Sequence, residues 1–258
     1  LTNAETKNAL NGAFTSVGRT EKLDVIGYDC CLMQVQDIAD FNSTYFNYMI
    51  ASQETESGYG WDYDGGWLKT IFNAPTTVSI ETFLTACCNQ FVSSYVWNDN
   101  DQTLSWLNLA NMSTYKIAME NLANYLSTNI LNTSNSTAFI NLILGCKYFG
   151  DEDFSEEYTS QYETYNLFDV KDVLTKIKAS STFNKNSCGT YIDSALTALK
   201  NLVGYNKVGN KAGNANGLCM WCGVSWTNYY MSTRSYICAT QSNFTNWISL
   251  WATFGKND

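Results

Sequence analysis

The stretch "KLDVIGYDCCLMQVQDIADFNSTYFNYMIASQE", residues 22–54, decides the fold. Its first eight residues gather Leu, Val, Ile and Tyr without clean polar alternation, the pattern of a central parallel strand covered on both faces. Residues 33–46 read as a helix packed on a sheet, and 47–54 return to a strand. Strand, helix and strand of these lengths make a crossover unit, right-handed by strong precedent. The architecture this predicts is α/β.

Upstream, Thr2 stands three residues before Glu5, the spacing at which the two side chains satisfy a helix's first free amides reciprocally, so the chain opens on a helix. So abrupt a start, with no leader and no initiating Met, reads as a processed subunit, with a trimmed fragment as the alternative. Downstream, 64–72 and 79–97 read as helices, the second carrying Cys87 and Cys88 at core positions. A strand over 102–112 leads into a helix over 113–131, and the polar run 132–137 is a loop. Three more helical patterns cover 137–149, 166–178 and 191–203, with Asp169 placed as a cap. The Gly/Asn/Lys run 205–217 follows no predicted strand and opens no helix, so it is a loop and not a phosphate cradle. A buried strand follows it, over 217–226.

A hydrophobic fraction of 45% with 15% charged residues in a chain of 258 is ample for a globular core. No apolar run is long enough to span a bilayer. The net charge of −9, with 15 Lys and Arg scattered along the chain, argues against nucleic acid as a partner. Nine cysteines, an odd number, leave at least one thiol outside any internal pairing. Cys219 and Cys222 form a C-x-x-C, but strand residues three apart point to opposite faces and no second pair stands at ligand spacing, so they read as structural. The acidic run 151–157 lacks the Gly and terminal Glu of an EF-hand and reads as a solvated face, with calcium a minor option. The most informative count is zero histidines. A Ser or Cys hydrolase normally needs an imidazole to move protons near neutral pH, so either this is no such enzyme or its base lies on another chain.

In open α/β sheets the working residues gather beyond the carboxyl ends of the strands. Asp29, Cys30 and Cys31 fall there after the first strand, and Gln53 to Glu56 after the second. With the strand extended to its end, Asp29 and Cys31 project to one side and Cys30 to the other. A carboxylate raises a neighbouring thiol's pKa, so Asp29 is a poor activator of Cys31 and better suited to holding a cation beside it. On residues alone, two thiols at a strand end are as readily core as catalytic.

"DVIGYDCCLM", residues 24–33, closely resembles the Asp-x-Ile-Gly-Phe-Asp-Ala-Cys-Leu-Met signature of clostripain-like cysteine peptidases, relatives of gingipains, legumains and caspases. "ASQETESGYGWDY", residues 51–63, resembles the family's Ala-Ser-x-Glu-Thr-Glu-Pro-Gly-x-Gly-Trp segment. The match is clear over about residues 22–68. The resemblance implies a caspase-like α/β/α sandwich with a mostly parallel central sheet and additional C-terminal helices. It implies that residues 1–258 are the heavy-chain part of a single peptidase domain, with room for a small helical extension within 138–258. It puts Cys31 in the nucleophile's place, Asp29 in the pocket for a basic side chain, and Glu54, Thr55 and Glu56 near the substrate cleft. Cys30 replaces the motif's alanine and Ser57 its proline; neither change removes a required group, though a second thiol invites oxidation.

The same resemblance accounts for the missing histidine. Such peptidases are cut internally, leaving the His on a light chain of the same precursor, which would be this chain's partner. The expected activity is a secreted or envelope-bound bacterial endopeptidase cleaving proteins or peptides after Arg or Lys, requiring no cofactor, with calcium an open option. The rival is a non-catalytic peptide- or glycan-binding relative using its 8 Trp and 17 Tyr as contact surface. A metal-dependent hydrolase is disfavoured by the lack of ligands at a shared spacing, and the site carries no metal in this reading.

Overall fold

A computed structural model describes residues 3–95, 101–150, 166–224 and 242–254. Helix α1 (Asn3–Ser16) precedes β1 (Leu23–Gly27), α2 (Gln36–Asn42) and β2 (Phe46–Ala51), the predicted crossover unit, with β1 and β2 parallel. Then come α3 (Gly66–Asn73), α4 (Ile80–Ser94), β3 (Thr103–Asn108), a 3₁₀ turn (Leu109–Asn111) and α5 (Met112–Asn129). After α6 (Ser136–Leu144) two short strands, β4 (Tyr148–Phe149) and β5 (Leu167–Asp169), lead to α7 (Val170–Ala179) and α8 (Cys188–Leu202). The last elements are β6 (Val203–Val208), β7 (Cys219–Trp221) and α9 (Thr245–Phe254).

The main sheet runs β1-β2-β3-β6 and is covered on both faces. Alternation along the strands sorts two cores. Met49 and Ala51 of β2 and Leu107 of β3 face a cluster with Met119 and Leu122 of α5, Leu199 of α8 and Trp247 and Trp251 of α9. Ile50 of β2 and Leu104 and Trp106 of β3 face the other, with Trp67 of α3 and Leu84, Cys88 and Phe91 of α4. This is the expected α/β/α sandwich. Helix α8 follows from Ile192, Ala195, Leu199 and Leu202, all buried at helical spacing.

Several expectations need correction. The sheet is mixed and not mostly parallel: β2 with β3 and β3 with β6 are antiparallel. One crossover helix returns the chain to start a parallel strand, whereas two helices, α3 and α4, deliver it to the opposite end. Second, β1 is an edge strand among the described residues and not central, with Leu23 39% exposed; an apolar run reports covered faces and is silent on in-plane neighbours. Third, residues 205–208 belong to β6, paired with β3, so the glycine-rich loop does follow a strand. It leads to β7 of a small antiparallel sheet, β4-β5-β7, with no helix after it. That sheet also shortens two predicted helices, since 148–149 and 167–169 are strands. Residues 151–157, Thr2 and the end of the 217–226 strand lie outside the described residues.

Candidate active site

Strand β1 ends at Gly27, and the chain turns through Asp29, Cys30 and Cys31 before α2. The turn is tied to the segment after β2 by backbone bonds: Tyr28 N donates to Ile50 O (3.0 Å), Leu32 N to Glu54 O (3.2 Å) and Gln34 N to Ser52 O (2.9 Å). The strand does not stay extended past Gly27, so strand alternation does not govern the two thiols; both are exposed, while the six other described cysteines are buried. Leu32, directly after Cys31, has φ +60, a left-handed backbone that costs a residue with a Cβ about 1–2 kcal/mol. Among the described residues the other non-glycine positions with positive φ are all Asn, which tolerates it, so the strained one stands beside Cys31.

Cys31 Sγ accepts a bond from the backbone amide of Glu56 at 3.2 Å. Beside it, the Asp29 carboxylate accepts from Trp61 N (3.1 and 3.2 Å) and from the Tyr63 hydroxyl (3.1 Å). Gly60 backs this carboxylate: it has φ +65, and a Cβ there would lie 2.8 Å from Asp29 Oδ2. The loop is anchored on α4 and its C-cap: Tyr95, directly after the helix, donates to Gly60 O, and Gln90 Nε2 of α4 donates to Asp62 Oδ2 (3.0 Å). Trp61 stacks on Tyr63, and Trp67 meets Trp61 edge-on.

The candidate substrate residues divide. Glu54 braces the fold: its Oε1 accepts from Thr55 N (2.9 Å) and Gly150 N (3.0 Å), and burial raises its carboxyl. Thr55 is exposed. Glu56 faces Asp29; burial first, then Asp29, push its carboxyl up to about 8, against a bond from Trp61. Partial burial and then the charges of Glu56, Asp29 and Cys31 raise the Cys30 thiol. Burial and Asp29 take Tyr63 to about 12, and burial with Glu56 and Asp29 takes Cys87 to about 12. Cys219 and Cys222 are fully buried and held as thiols well above their usual range.

Sequence reasoning missed Gly60, Trp61 and Tyr63 as the partners of Asp29, because their contact spans about 30 residues and needs the loop's path. It also missed a clamp beneath the site. Asp169, fully buried, accepts from Gln53 Nε2 (3.0 Å), Asn216 N (2.6 Å) and Asp172 N (2.9 Å), while Gln53 Oε1 accepts from Gly217 N (2.6 Å).

An α/β/α sandwich with an exposed thiol at the carboxyl end of a strand has the layout of the caspase-like cysteine peptidases. The chain belongs to the clostripain family of these peptidases, whose family signature matches residues 1–253. A B. fragilis cysteine protease superposes with TM-score 0.63 at 15% identity, covering 99% of this chain and 95% of that one. A clostripain from Bacteroides thetaiotaomicron, in complex with a peptide inhibitor, gives 0.59 at 15% identity over 89% and 92%. A secreted C11 cysteine protease from the same organism gives 0.58 at 14%, covering 92% of this chain and 57% of that one. At these identities the likeness establishes the fold. No curated protein matches the chain by sequence.

Proposed function

We propose that this chain is the Cys-bearing heavy chain of an endopeptidase that cleaves after Arg or Lys, with Cys31 as nucleophile. The observation that carries it is the pairing of an exposed sulfur, held by the Glu56 amide at 3.2 Å, with a carboxylate recess two residues before it. Cys31 attacks the scissile carbonyl as thiolate; the amine leaves with a proton from an imidazole; water hydrolyses the acyl-enzyme. That imidazole is supplied by a light chain cut from the same precursor, since this chain has none. Asp29 selects the basic side chain, because a neutral one would leave its half-buried charge without a cation. Thr55 and Glu56 border the cleft, with Glu54 bracing them. The inhibitor bound by the B. thetaiotaomicron clostripain, BTN-VLTK-AOMK, has a peptide part ending in lysine, which supports a basic preference here. The secreted B. thetaiotaomicron relative supports export.

The test is a peptide mass map of native protein treated with an arginyl chloromethyl ketone. Label on Cys31, kept in Cys30→Ala and lost in Asp29→Asn while iodoacetamide still reacts, is the expected result. Label on Cys30, or undiminished labelling of Asp29→Asn, would sink the assignment of nucleophile or pocket respectively. No label at all, with no His-bearing chain in the sample, would turn attention to a peptide-binding relative.

A further inference from the structure

Two carboxyl groups, those of Asp29 and Glu56, meet in the candidate recess, and no cation reaches either among the described residues. Donors come to both oxygens of Asp29, from Trp61 N and the Tyr63 hydroxyl, and to Glu56 Oε1 from Trp61 Nε1 at 3.4 Å. Glu56 Oε2 is buried and has no hydrogen-bond partner with both groups ionised; it lies in a carboxyl that can hydrogen-bond Asp29 only if one of the two holds a proton. A buried acceptor without a donor is costly, and two facing carboxylates cannot both stay ionised cheaply. We propose that Glu56 is the second carboxyl of the basic recess, that it shares one proton with Asp29 when the recess is empty, and that an incoming guanidinium or ammonium expels that proton. This rests on the assignment of Asp29 as the pocket acid and adds to it a proton-coupled mode of recognition.

The direction of the pH effect follows. Glu56 holds its proton up to about pH 8. Below that pH a cation competes with the proton, so affinity for a permanently charged probe rises roughly tenfold per pH unit and levels off above it. The other titratable groups facing the pair are Cys30 and Cys31 on the same turn, Asp62 and Tyr63 on the loop, Cys87 on α4 and Tyr95 directly after it. Tyr63 and Cys87 sit near 12, and Tyr95 and Cys30 are raised above their ordinary values, so they keep their protons through this window.

The experiment is calorimetric titration of benzamidine, an amidinium cation, into the mature protein carrying Cys31→Ser, which removes the nucleophile's own titration. Measured at pH 7 in phosphate and in Tris, whose ionisation heats differ, the apparent enthalpies should diverge by close to one released proton. In Glu56→Gln the amide donates to Asp29 as the shared proton would, so binding should be weaker, independent of buffer and flat with pH. Glu56→Ala, checked for folding by thermal melting, should also release no proton. Benzamidine binding without proton release, or release that survives both variants, overturns the inference and leaves the basic recess standing. No binding at all removes the recess itself, and Asp29→Asn shows whether any binding seen belongs there.

Discussion

Gly60 shows how narrowly the candidate pocket is set. Its φ of +65 is open to glycine at little cost, and any side chain would begin 2.8 Å from Asp29 Oδ2. Gly60→Ala should therefore cost about 1–2 kcal/mol in urea unfolding and push the carboxylate from its place. Labelling by an arginyl reagent should slow, while Cys31 keeps its rate with iodoacetamide; an unchanged ratio of the two rates would mean that Gly60 does not back the pocket. That Cys31, Asp29 and Glu56 come together was legible beforehand, because they lie in short motifs next to strand ends. The inward turn of Glu54 was not, since its acceptor role depends on Gly150, 96 residues away. The strained backbone at Leu32 was hidden too, because leucine carries no sign of positive φ.

At the scale of elements, Asp169 joins three segments that the sequence keeps far apart. It caps α7 through Asp172 N, as its position before an apolar helical pattern predicts. It also holds Gln53, after β2, and Asn216, before β7, which no cap signal reveals. Gln53 and Glu54 N, the latter bonded to Thr103 Oγ1 at 3.1 Å, fix the segment that leads to the Glu56 amide. Asp169→Ala would leave several buried donors without an acceptor, so a loss of about 3 kcal/mol in unfolding free energy is expected. Amide exchange at residues 54–56 should quicken beyond what global destabilisation accounts for, and exchange there in step with the core would confine Asp169 to a capping role. Long helices and the crossover unit were readable because their periodicity spans many residues. The strands β4, β5 and β7 have two or three residues each, too few for a period, and strand direction was hidden because it depends on how many helices intervene.

For the whole molecule, the proposed chemistry needs an imidazole, and the chain contains no histidine. Among the described residues one feature is suited to receiving it from a second chain. Strand β1, which leads straight into Asp29 and Cys31, pairs with β2 on one side only, and its half-buried Val25 and Ile26 face opposite cores. An exposed strand edge is a template for another strand, and natural proteins seldom leave one open without charge, proline or cover. A light-chain strand added there would complete the sheet and bring its following loop to the same carboxyl end as Cys31, where α/β folds assemble their sites. The β1 amides not bonded to β2 should then exchange rapidly in the isolated chain and become protected when the His-bearing chain is added, together with a gain of peptidase activity. Activity gained with no new protection in β1 would place the partner elsewhere and require its histidine to reach Cys31 from another side of the turn.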